Sequence, residues 1–383
     1  EIVFPSVETS RSGVKTVKFR ALGEDVELKL EPAGDILAKD FAFYNGNHEK
    51  QHSVDVESLR KRLYRDSANG AALVIDDDEQ FPSIEGIVLS KLRITPHEQK
   101  EMTQHGWRAH RVDELTSDRN FYLSDNVIFP DFQKEMVNFT RINRFDKCIV
   151  VEFLCVTERK LTDHFETNDV LTKHLTAIYL SAENMFKTMD LGIKFRLSGI
   201  LAFTEETEPA FIESSELKNG SYLDGSAIIN GIRNYFCENS ISSAENADII
   251  MFFITRSMIM HKADGSFDGM AAGLAYPGTV CYVCDKVGVT QYTFNELDGI
   301  LILAHETAHL LGVPHDGDPP SSANVLGSPG AESCSPKDGY IMGTTISKSS
   351  KVKFSKCSKD CAKHLLSRRQ ASCVYEKCKI SRY

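Results

Sequence analysis

Residues 299–316 read GILILAHETAHLLGVPHD, three histidines and a carboxylate set into an apolar run. His305 and His309 are four positions apart, so on a helix their imidazoles share one face, one turn from each other. Glu306 stands beside His305, turned roughly 100° around the same helix, where it reaches a water on a bound ion without being a ligand. Gly312 then acts as a helix stop that accepts φ > 0, and the sharp turn it permits returns His315 to the same point. Ile300, Leu301, Leu303, Leu310 and Leu311 anchor such a helix in a core. At about 1/20 per fixed position, this five-residue coincidence arises by chance in roughly one chain in ten thousand of this length. The competing reading, histidines satisfied within a core, would need all five residues to coincide.

Three neutral imidazoles leave one position of a tetrahedral zinc ion open, as catalytic rather than structural sites do. Water in that position loses its proton near neutrality. Glu306 takes the proton as general base during attack on a carbonyl carbon, then passes it to the leaving amine.

Outward from this helix, the pattern alternates. Residues 148–156 (CIVVEFLCV) form a β-branched, apolar run suited to a buried strand. From 168 to 190 the apolar positions Val170, Leu171, Leu175, Ile178, Tyr179, Ala182, Met185 and Phe186 recur near a 3.6 period. They predict a long amphipathic helix capped by Asn168 or Asp169. Residues 192–203 and 247–255 read as strands, 226–241 as a helix, and GLAYPGTVC (273–281) as a short edge strand closed by a Pro-Gly turn. Strands alternating with helices imply an α/β layer with a largely parallel sheet. The first 145 residues differ. Runs at 14–22, 26–31, 71–77 and 86–94 alternate with period two and predict antiparallel β structure. No catalytic constellation occurs there, and the single Trp, Trp107, reads as a packing residue.

The chain has 383 residues, enough for two domains. Its net charge of −10 argues against nucleic-acid binding, and no apolar run is long enough for a membrane span. Ten cysteines occur, none before Cys148. An even, clustered set implies disulfides and an oxidising compartment, so the expectation is a secreted, extracellular protein whose leader has been removed. The same boundary divides the chain into 1–145 and 146–383. Asn138 and Asn219 open glycosylation sequons. Arg141 and Arg144 present the paired-arginine spacing of a processing site just before the cysteine-bearing region.

His305 to Asp316, followed by Tyr340-Ile341-Met342-Gly343, resembles the metzincin peptidases, and Asp316 directly after the third histidine resembles their adamalysin (reprolysin) branch. Residues 273–281, 353–358 and 372–378 are similar to the same family, and residues 1–145 more loosely resemble its propeptide. Within that branch the chain resembles arachnid venom or salivary metalloproteinases such as the scorpion antarease group. The resemblance implies an α/β metzincin catalytic domain, with a mixed, largely parallel sheet, an active-site helix and a methionine turn, preceded by a mostly β propeptide. It implies a zinc endopeptidase made as a zymogen, one Zn2+ on His305, His309 and His315, and Glu306 as base. Met342 would form the turn beneath the ion. Gly273, Leu274 and Ala275 would pair with an extended protein substrate. The pairs Cys281–Cys373 and Cys334–Cys357 match family disulfides. A calcium ion is implied at Glu152, Glu245 and Glu376, with a buried salt bridge as the alternative.

The propeptide of this family commonly inhibits through a cysteine. None is available before Cys148, so inhibition by residues 1–145 needs bulk or another ligand. The remaining expectation is a monomer acting on protein or peptide substrates. A catalytically inactive, target-binding homologue is the alternative.

Overall fold

The computed structural model describes residues 1–77, 81–98, 103–104, 106–116, 121–122, 147–217, 222–239, 241–261, 266–343, 345–346 and 351–378. The elements that carry the site are, in chain order, strand β1 (Leu37–Asn45), strand β2 (Lys147–Thr157), helix α1 (Asn168–Lys187), strand β3 (Ile193–Ala202), helix α2 (Gly225–Glu238), strand β4 (Ile249–Ile254), strand β5 (Gly273–Ala275), strand β6 (Val287–Gln291), helix α3 (Glu296–Leu310), helix α4 (Lys356–Leu366) and strand β7 (Tyr375–Lys377).

Strand β2 shows why its sequence is apolar without interruption. Val151, Phe153 and Cys155 enter one hydrophobic core, while Leu154 and Val156 enter a second on the other face of the sheet. A strand buried on both faces has no polar side to alternate with. The sheet runs β5-β6-β4-β2-β3-β1 and ends on the short strand Lys50–Gln51. Neighbours from β6 to β1 are parallel, and β5 is antiparallel to β6. Helices α1 and α3 contribute to the first core, and α2 to the second. Strand β7 returns to pair with the start of β2.

The cap of α1 is Thr167, whose hydroxyl accepts from the Val170 amide at 3.2 Å, so the cap lies one residue before Asn168. Thr167 is extended (φ −144°, ψ 155°) while Asn168 is already helical, which places the capping oxygen on Thr167. At residues 86–94 the single expected run is a hairpin. Strands Ser83–Val88 and Leu92–Pro96 flank a turn in which Leu89 and Ser90 both have positive φ.

These two strands belong to a nine-stranded sheet formed within the first 114 residues, in which every recorded pairing is antiparallel. Strand Lys15–Ala21 alternates buried and more exposed positions, as period-two patterning predicts. The cysteine boundary does not separate the molecule spatially. Strand β1 comes from the first segment and completes the sheet of the second, with Ala42 opposite Gly199 and Phe43 opposite Ile200.

Four disulfides form: Cys148–Cys378, Cys237–Cys284, Cys281–Cys373 and Cys334–Cys357. The two pairs carried over from the family are both present. Cys155 and Cys361 are buried and free, so the even set is not wholly paired. Cys155 lies within β2 in the first core, paired with Ile200 of β3 and Met251 of β4. Among the described residues, no helix is long and apolar enough to cross a membrane.

Candidate metal centre

Helix α3 begins at Asn295, whose side chain accepts from the Asp298 amide at 3.3 Å, with Glu296 and Asp298 in the first turn where the helix dipole favours acids. The helix is buried along its length rather than on one stripe; His305 and Glu306 are each 0% exposed. The histidines therefore face an enclosed site, not an open helix surface. Gly312 has φ +73°, and the turn it makes brings His315 back. A side chain there would meet Val325 and Leu365, a second reason for glycine.

The three rings converge. Nε2 of His305 lies 3.0 Å from Nε2 of His309 and 3.1 Å from Nε2 of His315. The other ring nitrogens of the first two are engaged by backbone. His305 Nδ1–H donates to the Ile341 carbonyl at 2.8 Å, and His309 Nδ1–H to the Val313 carbonyl at 2.8 Å. His315 Nδ1 lies 3.5 Å from Asp318 Oδ2. Backbone acceptors at Nδ1 leave the Nε2 lone pairs directed at one another. Such an arrangement is repulsive without a cation between them. Nitrogens bound to zinc at about 2.0–2.1 Å in tetrahedral geometry lie roughly 3.3 Å apart, so the donor set fits that ion.

The surroundings fix these rings. Met342 is fully buried, and its carbonyl accepts from the Asp316 amide at 2.8 Å. Asp316 also accepts from the Ser355 hydroxyl at 2.6 Å, tying the turn after the third histidine to the start of α4; burial raises its carboxyl above the ordinary range. Gly312, Asp316 and Met342 thus join the turn that carries His315 to its surroundings. Strand β5 lies against the helix. A Cβ added to Gly273 would come 2.3 Å from Glu306 Oε1, so the strand backbone presses directly on the carboxylate. Gly273, Leu274 and Ala275 pair with Thr290, Val289 and Gly288 on one side. Among the described residues, no strand pairs with their other edge.

The three carboxylates expected to hold calcium are placed differently. Arg196 Nη1 donates to Glu152 at 2.9 Å and to Glu376 at 2.7 Å, and Nη2 donates to Glu376 at 2.8 Å. Glu245 ends a short helix, and its backbone carbonyl faces Lys286 Nζ at 3.5 Å. No group formed by these three carboxylates is close enough to share an ion among the described residues. An arginine already neutralises two of them, so the salt-bridge alternative describes this cluster and the calcium set does not fit. Asp248, not singled out in the sequence, sits beside Glu152 and accepts from its amide at 2.9 Å. Burial and the Glu152 charge hold its carboxyl up to about 7, although that hydrogen bond opposes the rise. Only the fold reveals Asp248, because it reaches Glu152 from the bend that leads into β4. Asn138, Arg141, Arg144 and Asn219 lie outside the described residues.

Residues 170–368 match the metallo-peptidase family M12B, reprolysin-like. A protein named metalloproteinase from Tityus obscurus is 57% identical over 349 residues, covering 90% of each chain. The venom metalloproteinase antarease TserMP_A from Tityus serrulatus is 44% identical over 379 residues, 99% of this chain and 94% of that one. The venom metalloproteinase BumaMPs1 from Olivierus martensii is 36% identical over 380 residues, 99% of this chain and 93% of that one. With its convergent histidines, buried glutamate and adjoining edge strand, the chain belongs to the M12B reprolysin-like metallopeptidases.

Proposed function

We propose that this metallopeptidase is a secreted venom endopeptidase, made as a zymogen, that uses one zinc ion on His305, His309 and His315. The observation that carries the reading is the approach of His309 and His315 Nε2 to 3.0 and 3.1 Å of His305 Nε2, with Glu306 on the next helix position. Zinc, when bound, supplies Lewis-acid polarisation of a peptide carbonyl and charge stabilisation as that carbonyl is attacked. The chain supplies the rest. An extended substrate adds to the free edge of β5, so that main-chain hydrogen bonds position the scissile peptide. Glu306 accepts a proton from the attacking water and delivers it to the leaving amide nitrogen. Burial of Glu306 keeps bulk water from competing for that proton.

Secretion is supported by the four disulfides, which form where thiols are oxidised, and by the venom names of the relatives. Latency belongs to residues 1–145, with processing after Arg144, and within those residues it rests on bulk or a ligand other than cysteine. The test is hydrolysis of casein or a quenched peptide. Activity should vanish with a chelator and return with zinc. Glu306→Gln should bind zinc normally and lose roughly 10²–10⁴-fold in rate. Wild-type protein that binds zinc yet cuts nothing after processing would establish the inactive homologue instead.

A further inference from the structure

The first segment is joined to the second by more than the connecting chain. Strand β1 supplies the last long strand of the central sheet: Leu37 lies opposite Leu197 and, after a register shift, Ala42 to Asn45 lie opposite Gly199 to Ala202. The approach is close. A side chain at Gly199 would meet the Ala42 carbonyl at 2.9 Å and the Tyr44 ring at 3.0 Å. Without β1, the backbone groups of β3 would form an unpaired sheet edge. The apolar surfaces also merge, since Ile36, Phe41, Phe43 and Leu59 lie in the same core as Phe153 and Leu175.

Charges cross the boundary as well. Arg65 reaches Glu183 on α1 at 2.9 Å, and that carboxylate is 1% exposed. Arg93 pairs with Glu296 at the start of α3. A buried carboxylate stripped of its arginine is costly, so these pairs oppose separation. Phe121 and Tyr122 add a second pairing, to Ile346 and Thr345, beside the strand Phe267–Ala271 that leads into β5, whereas the β1 edge is on the far side of the sheet. Five inter-strand steps of about 4.8 Å separate β1 from β5, roughly 24 Å across the sheet.

We propose that residues 1–116 form a retained subunit: a cut between residues 123 and 146 leaves them bound without a covalent link, as a strand-adding partner of β3. The enzyme after that cut is then a two-chain molecule. The partner surface is specific, because it combines parallel strand pairing, apolar side chains and two arginines that meet buried or half-buried glutamates.

The experiment uses the full chain carrying Glu306→Gln, which prevents self-digestion, and a sequence-specific protease site inserted between residues 123 and 146. After cutting, size-exclusion chromatography and native mass spectrometry at micromolar concentration should show both pieces together in a 1:1 ratio, separating only in denaturant. An N-terminal piece that elutes alone overturns the proposal. The double variant Arg65→Ala with Arg93→Ala should release the piece at least tenfold faster; an unchanged release rate overturns the assigned surface. Because mass rather than hydrolysis is read, the result is independent of whether the endopeptidase reading holds.

Discussion

Gly273 and Glu306 define the site at the scale of single residues. Glycine at 273 is required by what faces it, since its backbone has no positive φ to justify the absence of a side chain. A methyl group there would lie 2.3 Å from Glu306 Oε1 and 2.6 Å from Glu306 Cδ. Gly273→Ala should therefore push the carboxylate from its working position. A displacement of about 1 Å in a catalytic group costs on the order of a hundredfold in rate, so kcat should fall by about that factor. Zinc content, measured by atomic absorption, should not change, because Gly273 touches the base rather than the rings. Equal loss of zinc and activity would mean that the strand supports the metal and not the base.

At the scale of elements, the turn after α3 carries as much of the site as the helix does. Gly312 adopts φ +73°, and a Cβ there would lie 2.9 Å from Val325 Cγ2 and 3.3 Å from Leu365 Cβ. Gly312→Ala should cost about 1–2 kcal/mol for the left-handed backbone alone, with further loss from the contacts. Chemical denaturation should show that loss, and zinc should be surrendered to a competing chelator more readily as His315 moves outward. This turn was legible from sequence because glycine and the third histidine are local signals. The caps and hairpins were less so. Thr167 and Asn168 are both competent caps by composition, and only the backbone geometry selects Thr167. The hairpin within residues 83–96 escaped because its turn uses Leu89 and Ser90 at positive φ rather than glycine or asparagine. Cross-chain partners were least legible. Nothing local in Glu152 announces Arg196, which arrives from the neighbouring strand β3, or Asp248, which arrives from the bend before β4. Likewise, nothing in the 37–45 run indicates that it joins a parallel sheet formed by residues beyond 146.

For the whole molecule, the sharing of one core between the segments makes the stability of each depend on the other, and pH provides a way to see it. His110 is 1% exposed in the N-terminal sheet, where its Nε2 accepts from the Ile84 amide at 2.9 Å and its Nδ1 donates to the Arg108 carbonyl at 3.0 Å. Burial lowers it from 6.5 to about 4, against the opposing effect of its bond to the Arg108 carbonyl. The folded state thus holds it neutral while the unfolded state takes the proton first. Its contribution is fully present above pH 6.5, declines as the pH falls, and is gone below about 4; the difference corresponds to ~3 kcal/mol. His174, lowered to about 3 by burial and by Arg93, acts in the same direction. Asp248 acts in the opposite sense: its raised carboxyl favours the folded state at acid pH and loses that advantage as the pH rises through about 7. The raised carboxyls of Glu183, Glu208 and Asp316 act with Asp248, and the lowered imidazole of His48 acts with the two histidines, so the contribution of His110 is read from a variant rather than from the net pH profile. Replacing His110 with Gln keeps an acceptor for the Ile84 amide but removes the titration. Denaturant midpoints of His110→Gln should therefore rise relative to those of the wild type as the pH goes from 7 to 4.5. Because β1 ties the two segments into one core, fluorescence from Trp107 and far-ultraviolet circular dichroism should report the same denaturant transition in the wild type, and separate transitions would show that the shared core does not couple them.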